Sequence, residues 1–312
     1  MLTATPACGE PAMELVAGPM NYTEGPAVGP DGGVWFTEGE PAHAVHRYEI
    51  DLREAQVVLD RTQSGGANGL LWLDGEGLLI CRDRLDQTVG FMADPLGDSG
   101  NIALATETPA GQRFNGPNDI AAHEGSRTLY FTDPKYSNRP NDSGIEGVYA
   151  IRINPEIKED PRALGEKLPE YTAVALATDD LVRPNGIAVS GDTLYVADNV
   201  ALNVTAFDID PETGDTSNPR VFADLREGFG GRGPDGMCVL PGGELAVTLW
   251  GRGVQILDAD GERLGFIATG DFTSNVTPAD DGGLWVTARN GLMKVSADAV
   301  RRALAGERVA EE

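Results

Sequence analysis

Arg113-Phe114-Asn115-Gly116-Pro117-Asn118-Asp119-Ile120-Ala121-Ala122 opens the stretch that decides the fold, and Leu129-Tyr130-Phe131-Thr132-Asp133-Pro134 closes it. A polar amide precedes a short apolar strand. A polar turn follows, then a second apolar strand ending in Thr-Asp, which is a hairpin signal. The chain repeats this pattern. Aligned on Asn118 are Glu24-Gly25-Pro26, Asn68-Gly69-Leu70, Asn185-Gly186-Ile187, Asp235-Gly236-Met237 and Asn275-Val276-Thr277. Each leads through a glycine-rich turn to an apolar strand, such as Val34-Trp35-Phe36-Thr37, Leu78-Leu79-Ile80-Cys81 or Leu194-Tyr195-Val196-Ala197.

The copies start 44, 50, 67, 50 and 40 residues apart. Periods of this size with several short strands per unit define propeller blades. The expectation is an all-β, six-bladed β-propeller of four-stranded antiparallel blades, one domain over 1–312, around a central channel that holds a metal. In such a fold the residue just ahead of each innermost strand stands at the channel mouth. Residues spread from 24 to 275 would therefore converge, and here they are one Glu, one Asp and four Asn. Asn and Asp are common before strands as turn residues. Glu24 is not a turn former, and neither Gly nor Ser takes the position, so the pattern points to a ring of oxygen donors.

The sixth repeat has three strands before the chain changes period, so Glu14-Leu15-Val16-Ala17 is expected to complete it and close the circle. The longest interval carries its excess in Asn154 to Glu170, rich in Pro and charge, which reads as an outer-edge loop. Ser296 can cap a short helix over 297–305, expected as surface decoration. Asp133 and Asp198 follow second strands and are expected to tie blades together.

The net charge is −25, from 49 acidic and 24 basic residues. Nucleic acid and anionic membrane surfaces are therefore not expected partners. There is no long apolar run, and the first twenty residues lack the basic start and apolar core of a signal peptide. Three cysteines without a CxxC pair fit a reducing, cytoplasmic setting. Cys81 and Cys238 lie in strand patterns as small hydrophobes.

Two carboxylates with several amide oxygens suit a hard cation, Ca²⁺ better than Mg²⁺. His43, His46 and His123 form no cluster, which disfavours zinc, and are expected at the surface or in loops. No Gly-x-Ser-x-Gly motif or Ser-His or Cys-His pair is evident. Chemistry would then run through a cation and a carboxylate. Asp235 is the natural base or nucleophile, with a ligand-only role as its alternative. Arg113 and Asn115, on the loop into the channel, are placed to meet substrate oxygens.

Arg-x-Asn-x-Pro-Asn-Asp with a following Phe-Thr-Asp-Pro, together with Pro-Asn-Gly-Ile-Ala, Pro-Asp-Gly-Met and Glu24-Gly25-Pro26, resembles the SMP-30/gluconolactonase group. The resemblance covers roughly residues 14 to 295. It implies one divalent metal, often Ca²⁺, with Zn, Mg or Mn as alternatives, on Glu24, Asn118, Asn185 and Asp235. It also implies Asp235 as catalytic acid/base and substrate contacts at Arg113, Asn115 and Asn118. Related paraoxonases hold a second Ca²⁺ partly through an acidic residue after the Glu. Here that position is Gly25, although Asp119 matches another of their ligands. The implied activity is opening of a sugar-type lactone. The alternatives are an organophosphate or ester hydrolase on the same site, and a Ca²⁺-binding regulatory propeller without turnover.

Overall fold

Six sheets, each with four antiparallel strands, follow one another around a central axis, in a computed structural model that describes residues 11–73, 77–97, 101–136, 143–153, 172–226 and 233–310. The expected outer-edge loop from Asn154 to Glu170, and Cys8, lie outside the described residues. The chain forms a six-bladed propeller. Blade one contains β2 (Thr23–Val28), β3 (Val34–Glu38), β4 (Ala44–Glu49) and β5 (Glu54–Leu59), in that order from the axis outward. Blade two contains β6 (Ala67–Leu73), β7 (Gly77–Arg82), β8 (Thr88–Met92) and β9 (Ile102–Ala105). Blade three contains β10 (Ile120–His123), β11 (Thr128–Asp133), β12 (Gly147–Ile153) and β13 (Thr172–Thr178). Blade four contains β14 (Pro184–Ser190), β15 (Thr193–Asp198), β16 (Asn203–Ile209) and β17 (Thr216–Asp224). Blade five contains β18 (Pro234–Val239), β19 (Leu245–Leu249), β20 (Gly253–Leu257) and β21 (Arg263–Ala268). Blade six is built from β22 (Thr273–Pro278), β23 (Leu284–Ala288) and β24 (Gly291–Val295), with β1 (Met13–Ala17) as its outer strand.

The closure is the one the repeat implied. Met13 pairs with Val295, Glu14 with Lys294 and Leu15 with Met293. Joining early and late segments in one sheet leaves blade six without an open edge along β24.

Blade five differs from the expectation. A fifth strand, β25 (Arg308–Ala310), runs parallel to β21, and Val309 beside Ile267 is fully buried. The helix Ala297–Leu304 is capped by Ser296 Oγ, which accepts from Ala299 N at 3.3 Å. It is not surface decoration: Ala299, Val300 and Ala303 are buried against Ile267, Val295 and Val309 in one apolar cluster. Its small residues allow the helix close to the sheet, an approach that apolar bulk alone would not reveal in a sequence.

Repeated local chemistry makes the hairpins. In blades one, five and six the inner turn has one form, with Gly29, Leu240 and Ala279 N–H donating to the carbonyls of Gly33, Glu244 and Gly283. Gly32, Gly243 and Gly282 take the positive φ that this turn requires. Between blades, aromatic and branched side chains interdigitate. Phe114 meets Phe131 and Tyr149 edge-on, each with centroids 5.1 Å apart, over Leu79 and Phe91 of the neighbouring blade.

A belt of polar contacts at one end of the channel stitches the blades. Thr37 Oγ1 donates to Asn68 O at 3.0 Å, Gly69 N to Asn118 O at 2.7 Å, and Thr132 Oγ1 to Asn185 O at 2.6 Å. Asn199 Nδ2 donates to Pro234 O at 3.0 Å, Thr248 Oγ1 to Ser274 O at 2.8 Å, and Ser274 Oγ to Thr23 O at 2.6 Å. Every blade junction thus carries such a bond, and each satisfies a main-chain group at about 1 kcal/mol net.

Candidate functional site

The belt lies at the level of the aligned polar residues. The innermost strand loses register at that level in five blades, between Glu24 and Ala27, Ala67 and Leu70, Pro184 and Ile187, Pro234 and Met237, and Thr273 and Asn275. A bulge turns one side chain out of the alternating pleat. In blade three, Asn118 and Asp119 precede β10 instead, held by Asn118 N to Thr132 O and Thr132 N to Asp119 O. The glycine after the polar residue has a steric cause. A Cβ on Gly69 would lie 2.6 Å from Asn118 O, and one on Gly186 would collide with Asp235 O.

Glu24, Asn68, Asn118, Asp119, Asn185, Asp235 and Asn275 are all buried. Glu24 Oε1 accepts from Tyr22 Oη at 3.2 Å, and Oε2 from Gly25 N at 3.3 Å. Asn275 Nδ2 donates to Asp119 Oδ2 at 3.2 Å, and Asn185 Nδ2 to Tyr136 Oη at 2.6 Å. Asn68 Nδ2 reaches Asp83 Oδ2 at 3.5 Å.

Three of these residues are carboxylates, and they repel one another. Burial pushes Asp235 up to about 8, helped by the Asp119 charge and opposed by a hydrogen bond from Asn185. Burial raises Glu24 well above the usual carboxylate range, with Asp235 and Asp119 adding to it. Asp119 is pushed to about 6 by burial, against hydrogen bonds from Ile120 N, Asn275 and Ile187 N. Among the described residues, none of the three has a cationic partner. Buried charges are normally paired or bound to metal. No three His, Cys, Asp or Glu side chains among the described residues form a metal cluster by themselves. The donor set is mixed, carboxylate and amide oxygens without sulfur or imidazole, which fits a hard cation.

Two phenols border the carboxylates, and sequence reasoning missed both. Burial first, then Asp235 and Glu24, raises Tyr22 well above its ordinary value. Tyr136 is raised by desolvation and by the same two carboxylates, although the residue as a whole is 42% exposed. Neither lies in a strand repeat, so periodicity carried no signal for them. Asp119, marked in the sequence only by its match to a second-metal ligand of the paraoxonases, is a third carboxylate here.

The loop residues fall differently. Arg113 Nη2 donates to Asp86 O at 2.9 Å from an exposed side chain. Asn115 is buried, and its Nδ2 donates to Asp133 O at 3.1 Å and Ile145 O at 2.7 Å. Asp133 accepts from Asn115 N at 2.9 Å and Gly116 N at 2.7 Å, so it shapes the loop that carries Asn118. Asp198 does the same for Val182 N and Arg183 N in blade four. The histidines are buried, against expectation. His46 stacks on Phe36 and pairs with Glu38 Oε2 at 2.9 Å, because alternation along β4 turns it inward. His123 bridges Ser126 and Asp192, and His43 is enclosed beside Glu40.

A polar cavity of about 320 Å³ opens off the ring between blades one and two, lined by Tyr22, Glu24, His43, Asn68, Asp83 and Arg84 among others. On the far side a channel of about 380 Å³ runs between the innermost strands past Leu71, Ala122, Val189 and Val239, reaching Asp119 and Asn275. A larger cavity, about 560 Å³, lies at the seam of blades six and one around Tyr48, Trp285 and Lys294, and holds none of the ring residues.

A six-bladed propeller with buried carboxylates and amides gathered at one end of its channel is a recognisable class of protein. The chain belongs to the SMP-30/Gluconolactonase/LRE-like family, whose model matches residues 22–290. It is 30% identical over 141 residues to a regucalcin of Danio rerio, a match covering 42% of this chain and 46% of that protein. The aligned region thus spans about half the length of that relative. Among solved structures it is similar to a gluconolactonase of Xanthomonas campestris, with 25% identity, a TM-score of 0.74, and 92% of this chain and 89% of that one covered. It also shares its fold with a calcium-binding protein, regucalcin, of Agrobacterium tumefaciens, at 19% identity and a TM-score of 0.68 over 90% and 92% of the two chains. No helix among the described residues is long and apolar enough to cross a membrane.

Proposed function

We propose that this protein is a divalent-cation-dependent hydrolase that opens a lactone of the sugar type. One observation carries the reading: three buried carboxylates converge with amide oxygens, and no cationic side chain among the described residues answers them. Glu24, Asn118, Asn185 and Asp235 would hold the cation, with Ca²⁺ the best match to an oxygen-only set and Mg²⁺, Mn²⁺ and Zn²⁺ the competitors. When bound, the cation would neutralise these charges and polarise the ester carbonyl. Likeness to a gluconolactonase supports the substrate class.

Asp235 receives the proton of the attacking water. The water oxygen bonds to the carbonyl carbon, the ring C–O bond breaks, and the ring oxygen leaves as an alcohol carrying the proton. Arg113 has only Nη2 engaged among the described residues, which leaves donors for ring hydroxyls, with Asn118 as a second contact. Asn115 contributes by holding the loop, since both its amide hydrogens are used there. A cytoplasmic setting goes with this reading, as Cys81 and Cys238 are free thiols.

The test is steady-state hydrolysis of a panel of sugar lactones, simple lactones, aryl esters and organophosphates. Chelator-treated protein is assayed before and after each cation is restored. Metal-dependent turnover of sugar lactones is expected, and Asp235→Asn at saturating cation should lower kcat by about 10² to 10⁴. Cation binding without turnover on any substrate would favour the regulatory reading.

A further inference from the structure

The two phenols beside the carboxylates are used in opposite senses. Tyr22 donates to Glu24, so its hydrogen is spent on a ring side chain. Tyr136 accepts, taking a hydrogen from Asn185 Nδ2 at 2.6 Å. A hydroxyl that accepts still has its own hydrogen to give. Among the described residues no group receives the one on Tyr136.

Its place is fixed from several sides. The Arg183 guanidinium lies 5.3 Å over the ring centroid. Arg183 Nε in turn reaches Glu146 Oε2 at 3.8 Å, and the same carboxylate accepts from Lys135 N at 2.9 Å. The residue is 42% exposed while its hydroxyl touches a residue of the donor ring. Tyr136 therefore stands at the mouth with its donor end toward the site.

We propose that Tyr136 is a further catalytic residue, its O–H donating to the carbonyl oxygen of the bound lactone or ester as negative charge builds there. The proposal rests on the hydrolase reading above. A donor held in place before charge develops needs no reorganisation when it does, which is why such donors favour the transition state over the ground state. Tyr22 cannot take this role without releasing Glu24. The phenol transfers no proton: it is a neutral donor throughout, and the water proton still passes through Asp235.

Tyr136→Phe tests this directly, because it keeps the ring under Arg183 and removes only the hydroxyl. Calorimetric titration of chelator-stripped protein with Ca²⁺ gives the affinity, and lactone hydrolysis at saturating Ca²⁺ gives kcat and KM. Expected are a Ca²⁺ affinity and a KM within about threefold of wild type and a kcat lower by about 10², the usual worth of one positioned donor. An unchanged kcat would overturn the proposal. So would a loss of rate matched by a loss of Ca²⁺ affinity, since Tyr136 would then be a prop for the Asn185 amide. If the wild type binds Ca²⁺ and opens no lactone or ester, the hydrolase reading falls and takes this role with it. Failure of the inference alone shows as an active wild type with an equally active variant.

Discussion

Replacing Asp235 with Asn should stabilise the cation-free protein at neutral pH, by an amount that grows as pH rises. In an unfolded chain an Asp titrates near 3.8; in the folded protein burial and the Asp119 charge push Asp235 to about 8. Between those values the folded chain keeps a proton that the unfolded chain has released. The associated stability is whole below the lower value and is lost as pH climbs through the higher one. One proton of difference is worth about 1.4 kcal/mol per pH unit, so wild type should lose about 2.7 kcal/mol from this group between pH 5 and 7. Asp119, pushed to about 6, adds a loss of the same sign at the lower end of the window. That part is common to both proteins, whereas Asn at 235 has no proton to lose. Urea unfolding of both proteins in chelator at pH 5, 6 and 7 measures the difference. It should widen by about 1.4 kcal/mol per unit. Parallel pH dependences would refute the reasoning, because Asp235 would then titrate like an exposed carboxylate. Ca²⁺ at a hundredfold excess over Kd should add about 2.7 kcal/mol to wild type, with Kd itself tightening from pH 5 to 7 as the competing protons leave.

Two further outcomes follow from particular contacts. Asp133→Ala leaves the buried N–H groups of Asn115 and Gly116 without their acceptor; urea titration should show a loss of about 2–4 kcal/mol, and a loss below about 0.5 would mean the loop re-pairs at no cost. Val309→Asp places a charge at a fully buried position of β25; the melting temperature should drop sharply, by the equivalent of about 3 kcal/mol or more, and an unshifted melt would return the tail to a decorative role.

The repeat of a polar residue followed by glycine made the blades and the donor ring legible in the sequence, because both residues answer to the same crowding. The bulge aims the polar side chain, and the neighbouring blade leaves no room for a Cβ beside it. Two blades depart from the repeat, with Asp119 and Val276 in the glycine position; Asp119, which the sequence marked only through its likeness to a paraoxonase ligand, turns its carboxylate on Asn275. Tyr22 and Tyr136 act through single hydrogen bonds from segments with no period to read. The histidines misled because composition says little about which face of a strand is covered. His46 is inward on β4 only because Phe36 and Glu38 of β3 are there to receive it. β25 escaped notice as a three-residue strand, too short to show alternation.

Thr37, Thr132, Thr248 and Ser274 each grip a main-chain carbonyl of the adjoining blade, so the bore of the hub is set at the backbone and not by the side chains that face the axis. A substitution at 118, 185 or 235 changes what faces the axis and leaves that bore as it was. To widen it, adjoining blades would have to slip together and break several grips at once. The hub can therefore be refitted one position at a time, with other donors or with an apolar lining, while the wheel keeps its gauge. That independence of gauge from fittings is what allows one wheel to mount unrelated chemistries.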